Sequence, residues 1–488
     1  VLLTAAAVGF LVAPISFEFA RSLPCLLDDM DVRAVNDLLA ELEVEGRSLL
    51  SDAGVQAADV TVTRHAEMRY FGQMREIDVP LPGEPLDAGS LGQARAAFDA
   101  EYERLYAHLY KGPPVQALNW RVLCAGPTPG VEMGGLEPTS GASLKGQRRA
   151  YFPEAGGFVD VPVHDRYALA PDQRIQGPAI IEERESTTIV PPGDTLAVDD
   201  FLNLRLTIGR ETGATVVVPE GMPLDEAVAR IEGDPIGLEI MWSRLINIAE
   251  ECWHTVIRTA FSLIIGEAQD FGCELLDAKG RQLAHSPRAM PVFSLTLPLA
   301  VNAMIKRHPV DTLKPGDVLI TNDPWQCAGH LFDIAIVTPV FRDNRVVALA
   351  GSVGHVTDIG GTKNRLHAHE LYEEGLQIPP MKLVREGTIN EDLIELITEN
   401  VRSADQVIGD LHALVSANAA GAQRIGEFME EYGMHDLEAL ATVIQGRAER
   451  AMRDAIRDLR PGIYEGEIWN NSLDGKERFP IRLNVSGE

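Results

Sequence analysis

The chain has 488 residues, of which 45% are apolar and 24% are charged, and its formal net charge is −29. This length and composition are typical of a soluble globular protein with two or three domains. The excess of acidic side chains argues against nucleic acid and against anionic membrane surfaces as partners.

The chain opens with a helical pattern that extends to about residue 52. Val1 to Val12 are nearly all apolar, but this run is too short to span a bilayer and no basic segment precedes it. There is no initiator Met, and the chain stops after an alternating pattern at residues 482–488. We therefore expect an internal fragment of a longer polypeptide.

Residues 29–207 carry helix-like spacing of apolar residues, alternating strand patterns and Gly/Pro turns. In chain order, the predicted elements are a helix Asp29–Leu50, strands Val60–Arg64 and Ile77–Leu81, a helix Leu91–Leu109, and strands Val115–Leu123 and Ala179–Glu182. Residues 1–207 are thus predicted to form a β-rich module with flanking helices.

Residues 208–233 combine several glycines with acidic residues and are predicted to be a linker, partly strand or helix. The second module, residues 234–488, mixes helices and strands. Its predicted elements are helices Pro235–Ser262, Asn390–Gly433 and Asp436–Leu459, and strands Val318–Thr321, Ile334–Phe341 and Val346–Ser352. The predicted fold class is mixed α+β in two modules, the second of which contains a metal site.

The metal site is suggested by two copies of the pattern His-x-x-Asp, His330 to Asp333 and His355 to Asp358, which lie 25 residues apart. Histidine is scarce, with 12 in the chain. Imidazole and carboxylate together are typical ligands of a divalent metal that keeps room for water. His330 precedes one predicted strand and His355 follows another, and antiparallel neighbours would bring them to the same side of a sheet. With the upstream Asp270, the predicted ligands are Asp270, His330, Asp333 and His355.

Each of these residues also has a purely structural interpretation. Asp270 could cap a turn, and either histidine could be a buried ring bonded to a carbonyl. Asp358 precedes Ile-Gly-Gly, and Asp323 lies in Asn-Asp-Pro, so both also fit turn chemistry.

The five cysteines are scattered without CxxC spacing. This usage argues against a disulfide framework and against a structural zinc knuckle, and it fits a reducing compartment, so we expect a cytoplasmic protein. Cys327 lies three residues before His330. It is a candidate nucleophile or ligand, but a partly buried bystander thiol is the favoured interpretation.

Ordered blocks of the second module resemble the hydantoinase B/oxoprolinase family. They are Arg258-Thr-Ala-Phe-Ser262, Glu267-Ala-Gln-Asp-Phe271, Pro315-Gly-Asp317, Thr321-Asn-Asp-Pro324, His330-Leu-Phe-Asp333, Gly354-His-Val-Thr-Asp-Ile-Gly-Gly361 and Glu374-Gly-Leu-Gln-Ile-Pro-Pro380. The first module resembles the C-terminal part of the hydantoinase A/oxoprolinase family, on Arg69-Tyr-Phe-Gly-Gln73, residues 98–106 and Gly177-Pro-Ala-Ile-Ile-Glu-Glu183. The order of the two parts is similar to that of fused 5-oxoprolinases.

The resemblance implies an ATP-dependent cyclic amide hydrolase of the 5-oxoprolinase or hydantoinase type. In such an enzyme, an actin-like half binds ATP–Mg and activates the lactam, and this half is missing from the present chain. The second module then adds water to the activated lactam at a divalent metal. Zinc is the favoured metal, and manganese or iron is also compatible. Asp358 and Asp323 are the catalytic candidates. The implied partners are a small cyclic amide and an oligomer of A- and B-type modules.

Two alternatives stay open. One is a subunit of an acetone- or acetophenone-type ATP-dependent carboxylase, and the other is a non-catalytic assembly subunit with a structural metal. Both gain weight because Arg288 and Phe293 stand where the family commonly has histidines. The block around His355 also keeps one histidine of a usual pair.

Overall fold

The structure is a computed structural model that describes residues 12–130, 141–209, 218–219, 221–362, 368–458, 460, 462–471 and 478–486. The helix predicted over residues 1–11 lies outside the described residues, as do residues 210–217 and 220 of the predicted linker. The chain forms two compact units. One comprises Ser16–Ala125 with Val216–Glu488, and the other comprises Val1–Ile15 with Gly126–Thr215.

The larger unit begins with an antiparallel sheet and two helices. Its first elements are β1 (Ser16–Leu26), α1 (Val32–Asp52), β2 (Thr61–Tyr70), β3 (Ile77–Leu81), α2 (Ala88–Tyr106) and β4 (Val115–Ala125). The strand order is β1-β4-β2-β3. The carboxylate of Asp31 caps α1, and Asp87 forms a capping box with Ser90 at the start of α2. Leu39 and Phe98 are among the buried residues that join these helices to the sheet.

The prediction of helix from residue 1 to about 52 is wrong for residues 16–26. These residues form β1, in which Ser16 lies opposite Ala125 and Leu26 lies opposite Gln116. The partner strand is about a hundred residues away in sequence, so tertiary pairing overrides a local apolar pattern that resembles a helix. The helix predicted from Asp29 to Leu50 is confirmed as α1.

The smaller unit consists of β-strands in two sheets. Its strands are β5 (Leu144–Phe152), β6 (Gly157–Asp165), β7 (Arg174–Gln176), β8 (Ala179–Glu182), β9 (Thr187–Val190), β10 (Thr195–Val198) and β11 (Leu204–Thr207). The sheets have the orders β5-β6-β8-β9 and β11-β10-β7. Ile181 and Leu196 lie in its buried core. This unit matches the β-rich character predicted for the end of the first module.

The segment predicted as a linker contains a packed helix, α3 (Leu224–Glu232). Ala227 and Ile231 of α3 are buried in a core that α3 shares with later helices, so this part of the segment belongs to the larger unit. Among the described strands, no sheet joins a strand before residue 208 to one after residue 233. The boundaries at residues 207 and 234 stay predictions, since residues 16–125 group in space with the residues after 216.

The rest of the larger unit alternates helices and strands. The helices are α4 (Pro235–Thr259), α5 (Leu263–Gly266), α6 (Pro291–Arg307), α7 (Leu371–Glu374), α8 (Glu391–Asn400), α9 (Ala404–Glu431) and α10 (Glu438–Arg457). The strands are β12 (Phe271–Asp277), β13 (Gln282–His285), β14 (Val318–Thr321), β15 (Asp333–Arg342), β16 (Arg345–His355), β17 (Met381–Arg385), β18 (Thr388–Ile389), β19 (Ile463–Asn471) and β20 (Arg478–Ser486). Strands β12 to β18 form one sheet in the order β13-β12-β16-β15-β14-β17-β18, and β19 pairs with β20.

The seven-stranded sheet is covered on both faces. Phe293 and Leu297 of α6 pack with Leu276 on one face, whereas α4 and α9 pack with Leu275 on the other. Burial on both faces explains why β14 and most of β12, β15 and β16 are apolar. Among the described helices, none is long and apolar enough to cross a membrane.

The single helix predicted from Asn390 to Gly433 is wrong at residues 401–403, where the chain breaks between α8 and α9. The break places Arg402 beside the loop that follows β16, where its side chain is bonded to Asp358. A local sequence pattern does not report this long-range contact.

Candidate metal centre

Two neighbouring strands of the large sheet position the centre. Asp333 is the first residue of β15, and His355 is the last residue of β16. The strands are antiparallel, and Asp333 lies directly opposite His355 in their register. The predicted antiparallel arrangement is therefore confirmed, although His355 ends its strand instead of following it.

The two histidines share the carboxylate of Asp333. Nε2 of His330 lies 2.7 Å from Oδ2 of Asp333, and Nδ1 of His355 lies 2.8 Å from Oδ1. One donor atom from each residue can be chosen so that all three lie within 4.8 Å of one another. The structure thus brings together three of the four predicted ligands in one cluster.

The cluster is buried on one side and accessible on the other. The side chains of Asp333 and His355 are 3% and 6% exposed, whereas His330 is 33% exposed. Phe332 stacks on the ring of His355 at a centroid distance of 5.3 Å. Burial raises the pKa of the Asp333 carboxyl, but hydrogen bonds and charge interactions with both histidines outweigh it and hold the pKa below its ordinary value. The carboxylate therefore stays ionised and available as a ligand.

Asp270 lies at the edge of the cluster. Its backbone carbonyl accepts a hydrogen bond from the backbone N–H of His355 at 3.0 Å. Its Oδ2 lies 3.9 Å from Nδ1 of His355, and its side chain is 35% exposed. Asp270 is thus next to the three-residue cluster but is less closely held.

Asp323 and its neighbour Asn322 organise the loop after β14. The Asp323 carboxylate accepts hydrogen bonds from the backbone of Trp325 at 3.0 Å and the side chain of Gln326 at 3.3 Å. The buried amide of Asn322 donates to the carbonyl of Leu331 at 2.7 Å. These contacts match the turn chemistry considered for Asn-Asp-Pro, and the catalytic role of Asp323 stays a prediction.

Asp358 braces the loop after β16. Its Oδ1 accepts hydrogen bonds from the backbone N–H of Gly360 at 3.1 Å and from the guanidinium of Arg402 at 2.8 Å. Its Oδ2 accepts from the backbone N–H of Arg402. The carboxylate is therefore engaged by the loop, and its catalytic role also stays a prediction.

Glu374 was not among the residues selected from the sequence. Its Oε1 lies 3.9 Å from Nδ1 of His330, and its Oε2 accepts a hydrogen bond from the backbone N–H of Leu331 at 3.0 Å. The only sequence signal was its place at the start of the block Glu374-Gly-Leu-Gln-Ile-Pro-Pro380, which does not indicate a contact with a histidine 44 residues earlier.

Cys327 is buried, and burial raises the pKa of its thiol to about 12. A thiol with such a pKa remains protonated near neutral pH and is a poor nucleophile. This environment fits the bystander interpretation.

The donor set fits a divalent ion. Two imidazoles and one carboxylate are the protein ligands of several catalytic zinc sites and of non-haem iron sites. The buried position of Asp333 would hold a ligand firmly, and the partly exposed His330 leaves one side open to a small molecule.

Comparison with known proteins identifies the family of the chain. Residues 234–488 match the family model for Hydantoinase B/oxoprolinase, and residues 28–208 match the model for the Hydantoinase/oxoprolinase C-terminal domain. The 5-oxoprolinase of Dictyostelium discoideum is 30% identical over 466 residues, which are 92% of this chain and 34% of that protein. The 5-oxoprolinase of Saccharomyces cerevisiae is 32% identical over 63% of this chain and 24% of that protein.

A solved structure is also similar to part of the chain. The ATP-dependent caprolactamase from Pseudomonas jessenii has 30% sequence identity and a TM-score of 0.47, covering 52% of this chain and 45% of that one. The chain spans less than half the length of the curated relatives named above. Because the Hydantoinase B/oxoprolinase model matches more than half of its residues, the chain belongs to the hydantoinase B/oxoprolinase family.

Proposed function

We propose that this chain is part of an ATP-dependent cyclic amide hydrolase of the 5-oxoprolinase or hydantoinase type, and that residues 234–488 carry its hydrolytic metal centre. The observation that carries the proposal is the cluster of His330, Asp333 and His355 within 4.8 Å. It lies inside the part of the chain that matches the Hydantoinase B/oxoprolinase model. The relatives named 5-oxoprolinase support the choice of a cyclic amide as substrate.

The chemistry explains why such a centre is needed. An amide carbonyl is a poor electrophile, so in the proposed reaction ATP first phosphorylates the carbonyl oxygen of the lactam, with release of ADP, at a site supplied by the rest of the protein. A bound divalent ion would supply Lewis acidity and a more acidic water. Zinc is the favoured ion, and manganese and iron accept similar ligands.

The chain's own residues have distinct proposed roles. His330, Asp333 and His355 would hold the ion, since the Asp333 carboxylate lies 2.7 and 2.8 Å from a ring nitrogen of each histidine and an ion could take the place of the protons between them. Asp270 is proposed as a further carboxylate ligand, since its Oδ2 lies 3.9 Å from His355. Phe332 would keep the ring of His355 in place by stacking on it.

Asp323 and Asp358 are proposed to act from the loops that follow β14 and β16. Asp358 would fix the loop after β16 through Arg402. Asp323 would shape the loop after β14 and is the better placed of the two to accept a proton, because its carboxylate bonds only neutral groups among the contacts described for it. Substituting Asn for each aspartate separates these roles, since loss of a proton acceptor lowers the turnover number without releasing the metal.

The test uses the complete polypeptide or complex that contains this chain. ATP turnover and ring opening are measured with 5-oxoproline, hydantoins and lactams, and with ketones plus bicarbonate. We expect ATP-dependent opening of a cyclic amide. H355A should lower ring opening by more than about a hundredfold, because loss of a ligand should exceed the 10–100-fold loss typical of groups that only orient ligands.

The matched control is H254A, which removes an exposed histidine from α4. It should leave ring opening unchanged, and H355A should retain most of the phosphorylation chemistry. Carboxylation of a ketone in place of ring opening would overturn the proposal in favour of a carboxylase. Full ring opening by H355A would remove the proposed metal centre from the reaction.

A further inference from the structure

The ring of His330 lies between two carboxylates. Its Nε2 is 2.7 Å from Asp333, and its Nδ1 is 3.9 Å from Oε1 of Glu374. The Glu374 side chain is 17% exposed, so its charge is only partly screened by water. The two ring nitrogens therefore face different acidic groups, one inside the cluster and one outside it.

The outer carboxylate is held in place by the residue next to His330. Oε2 of Glu374 accepts a hydrogen bond from the backbone N–H of Leu331 at 3.0 Å. This contact leaves Oε1 directed towards the histidine. The distance of 3.9 Å to Nδ1 is longer than a hydrogen bond, so the interaction of that oxygen with the ring is electrostatic.

The backbone around Glu374 is also fixed. The N–H of Thr362 donates to the carbonyl of Glu373, and the N–H of Leu376 donates to the carbonyl of Ile359, both at 2.8 Å. Gly361 approaches so closely that an added Cβ would lie 2.4 Å from the carbonyl oxygen of Glu373. The loop after β16 therefore packs directly against the segment that presents Glu374.

That loop is in turn clamped by Arg402. The guanidinium donates to the carboxylate of Asp358 at 2.8 Å and to the carbonyl of Gly360 at 3.3 Å, and it also donates to the carbonyl of Gly361. A continuous set of contacts thus runs from the break before α9, through the loop, to Glu374 and His330.

We propose that Glu374 is a positioning residue that orients the ring of His330 so that its Nε2 can bind a metal. When an ion takes the place of the proton between Nε2 and Asp333, a negative charge beside Nδ1 would favour the tautomer that carries its proton on Nδ1, and the Nε2 lone pair would be directed at the ion. Pairing the outer nitrogen of a metal-binding histidine with a carboxylate is a general way to fix its ring and tautomer. The inference rests on the proposed function, because it requires His330 to be a ligand.

The decisive variant is E374Q. Its amide oxygen can still accept the hydrogen bond from Leu331, but the charge beside Nδ1 is lost. We expect the affinity of the chain for Zn²⁺, measured by competition with a chromophoric chelator, to fall by about 10–100-fold. The visible spectrum of bound Co²⁺ should shift, whereas the thermal midpoint of the metal-free protein should stay close to that of the wild type.

The matched control is E373Q. The neighbouring Glu373 is exposed and accepts a hydrogen bond from the backbone N–H of His369, and its variant should keep the wild-type affinity and Co²⁺ spectrum. H330A gives the effect of losing the ligand itself and should weaken binding more than E374Q does.

The outcomes separate the two proposals. Wild-type affinity in E374Q, with weaker binding in H330A, would overturn the role of Glu374 and leave the metal centre intact. Binding lost as completely in E374Q as in H330A would make Glu374 a ligand and also overturn the positioning role. Equal Zn²⁺ binding by wild type and H330A would contradict the proposed function itself.

Discussion

A pair of histidines inside the larger unit should make it sensitive to acid. Nε2 of His108 lies 3.1 Å from Nδ1 of His412, and Tyr110 stacks on His412 at a centroid distance of 3.8 Å. Burial lowers the pKa of His108 to about 4. Burial and the nearby His108 lower the pKa of His412 to about 3. Both rings are therefore neutral in the folded protein at pH values where they would be charged in the unfolded chain.

These pKa values predict that acidification lowers the stability of the larger unit. A histidine whose folded pKa lies below its ordinary value of about 6.5 costs stability as the pH falls through that value, because the unfolded chain binds the proton first. Between about pH 7 and about pH 5, each ring contributes a loss of up to about 2 kcal/mol. The pair should therefore remove up to about 4 kcal/mol of local stability over this interval, and H412F should halve that loss.

Hydrogen exchange of the α9 amides, corrected for intrinsic rates, measures this local opening free energy without assuming that the whole chain unfolds in one step. The variants are compared by the change in this opening free energy between about pH 7 and about pH 5. Any destabilisation by the substitution that does not depend on pH therefore cancels. H254Q, which removes an exposed histidine from α4, should show the full wild-type loss. An equal loss of protection in H412F and the wild type on acidification, or no loss in the wild type, would contradict the assignment of this acid sensitivity to the histidine pair.

Two further predictions concern the buried carboxyl of Glu274 and the crowded backbone at Gly361. Burial raises the pKa of Glu274 to about 8, although a hydrogen bond from Gln282 acts in the opposite direction. The unfolded chain therefore releases this proton first, and the contribution of Glu274 to folding stability should decrease as the pH rises from about 4 towards 8. The thermal midpoint of E274Q relative to that of the wild type should therefore rise as the pH increases across this range, and a difference between the two midpoints that does not change with pH would contradict the assignment. Gly361 has a φ of +58° and no room for a Cβ, whereas Gly329 has a φ of +100° with no atom within 4 Å of an added Cβ. G361A should therefore lower stability by about 1–3 kcal/mol more than G329A, and equal thermal midpoints would refute the crowding argument.

The clustering of three side chains at the candidate centre could be largely predicted from the sequence. The proximity of His330 and His355 could be predicted from the repeated His-x-x-Asp pattern and from the strand patterns beside it. This prediction is possible because burial fixes the register of an antiparallel strand pair. Asp333 followed from the same pattern. The expectation that a second carboxylate, Asp270, completes the site stays a prediction, since it lies beside the cluster.

Other features depend on contacts that no local pattern reports. β1 was missed because its partner strand is about a hundred residues away. The grouping of residues 16–125 with the later part of the chain involves contacts such as that between His108 and His412, which are 304 residues apart. The contact of Glu374 with His330 likewise arises from the folding of two loops, and neither loop carries a periodic signal.

The most direct test of the account is the metal content of the purified chain after exchange against a divalent-ion buffer and removal of loosely bound ions. With His330, Asp333 and His355 as ligands, the wild type and H254A should retain about one ion per chain, and H330A and H355A should retain almost none. Equal metal content in the wild type and in H355A would contradict the account.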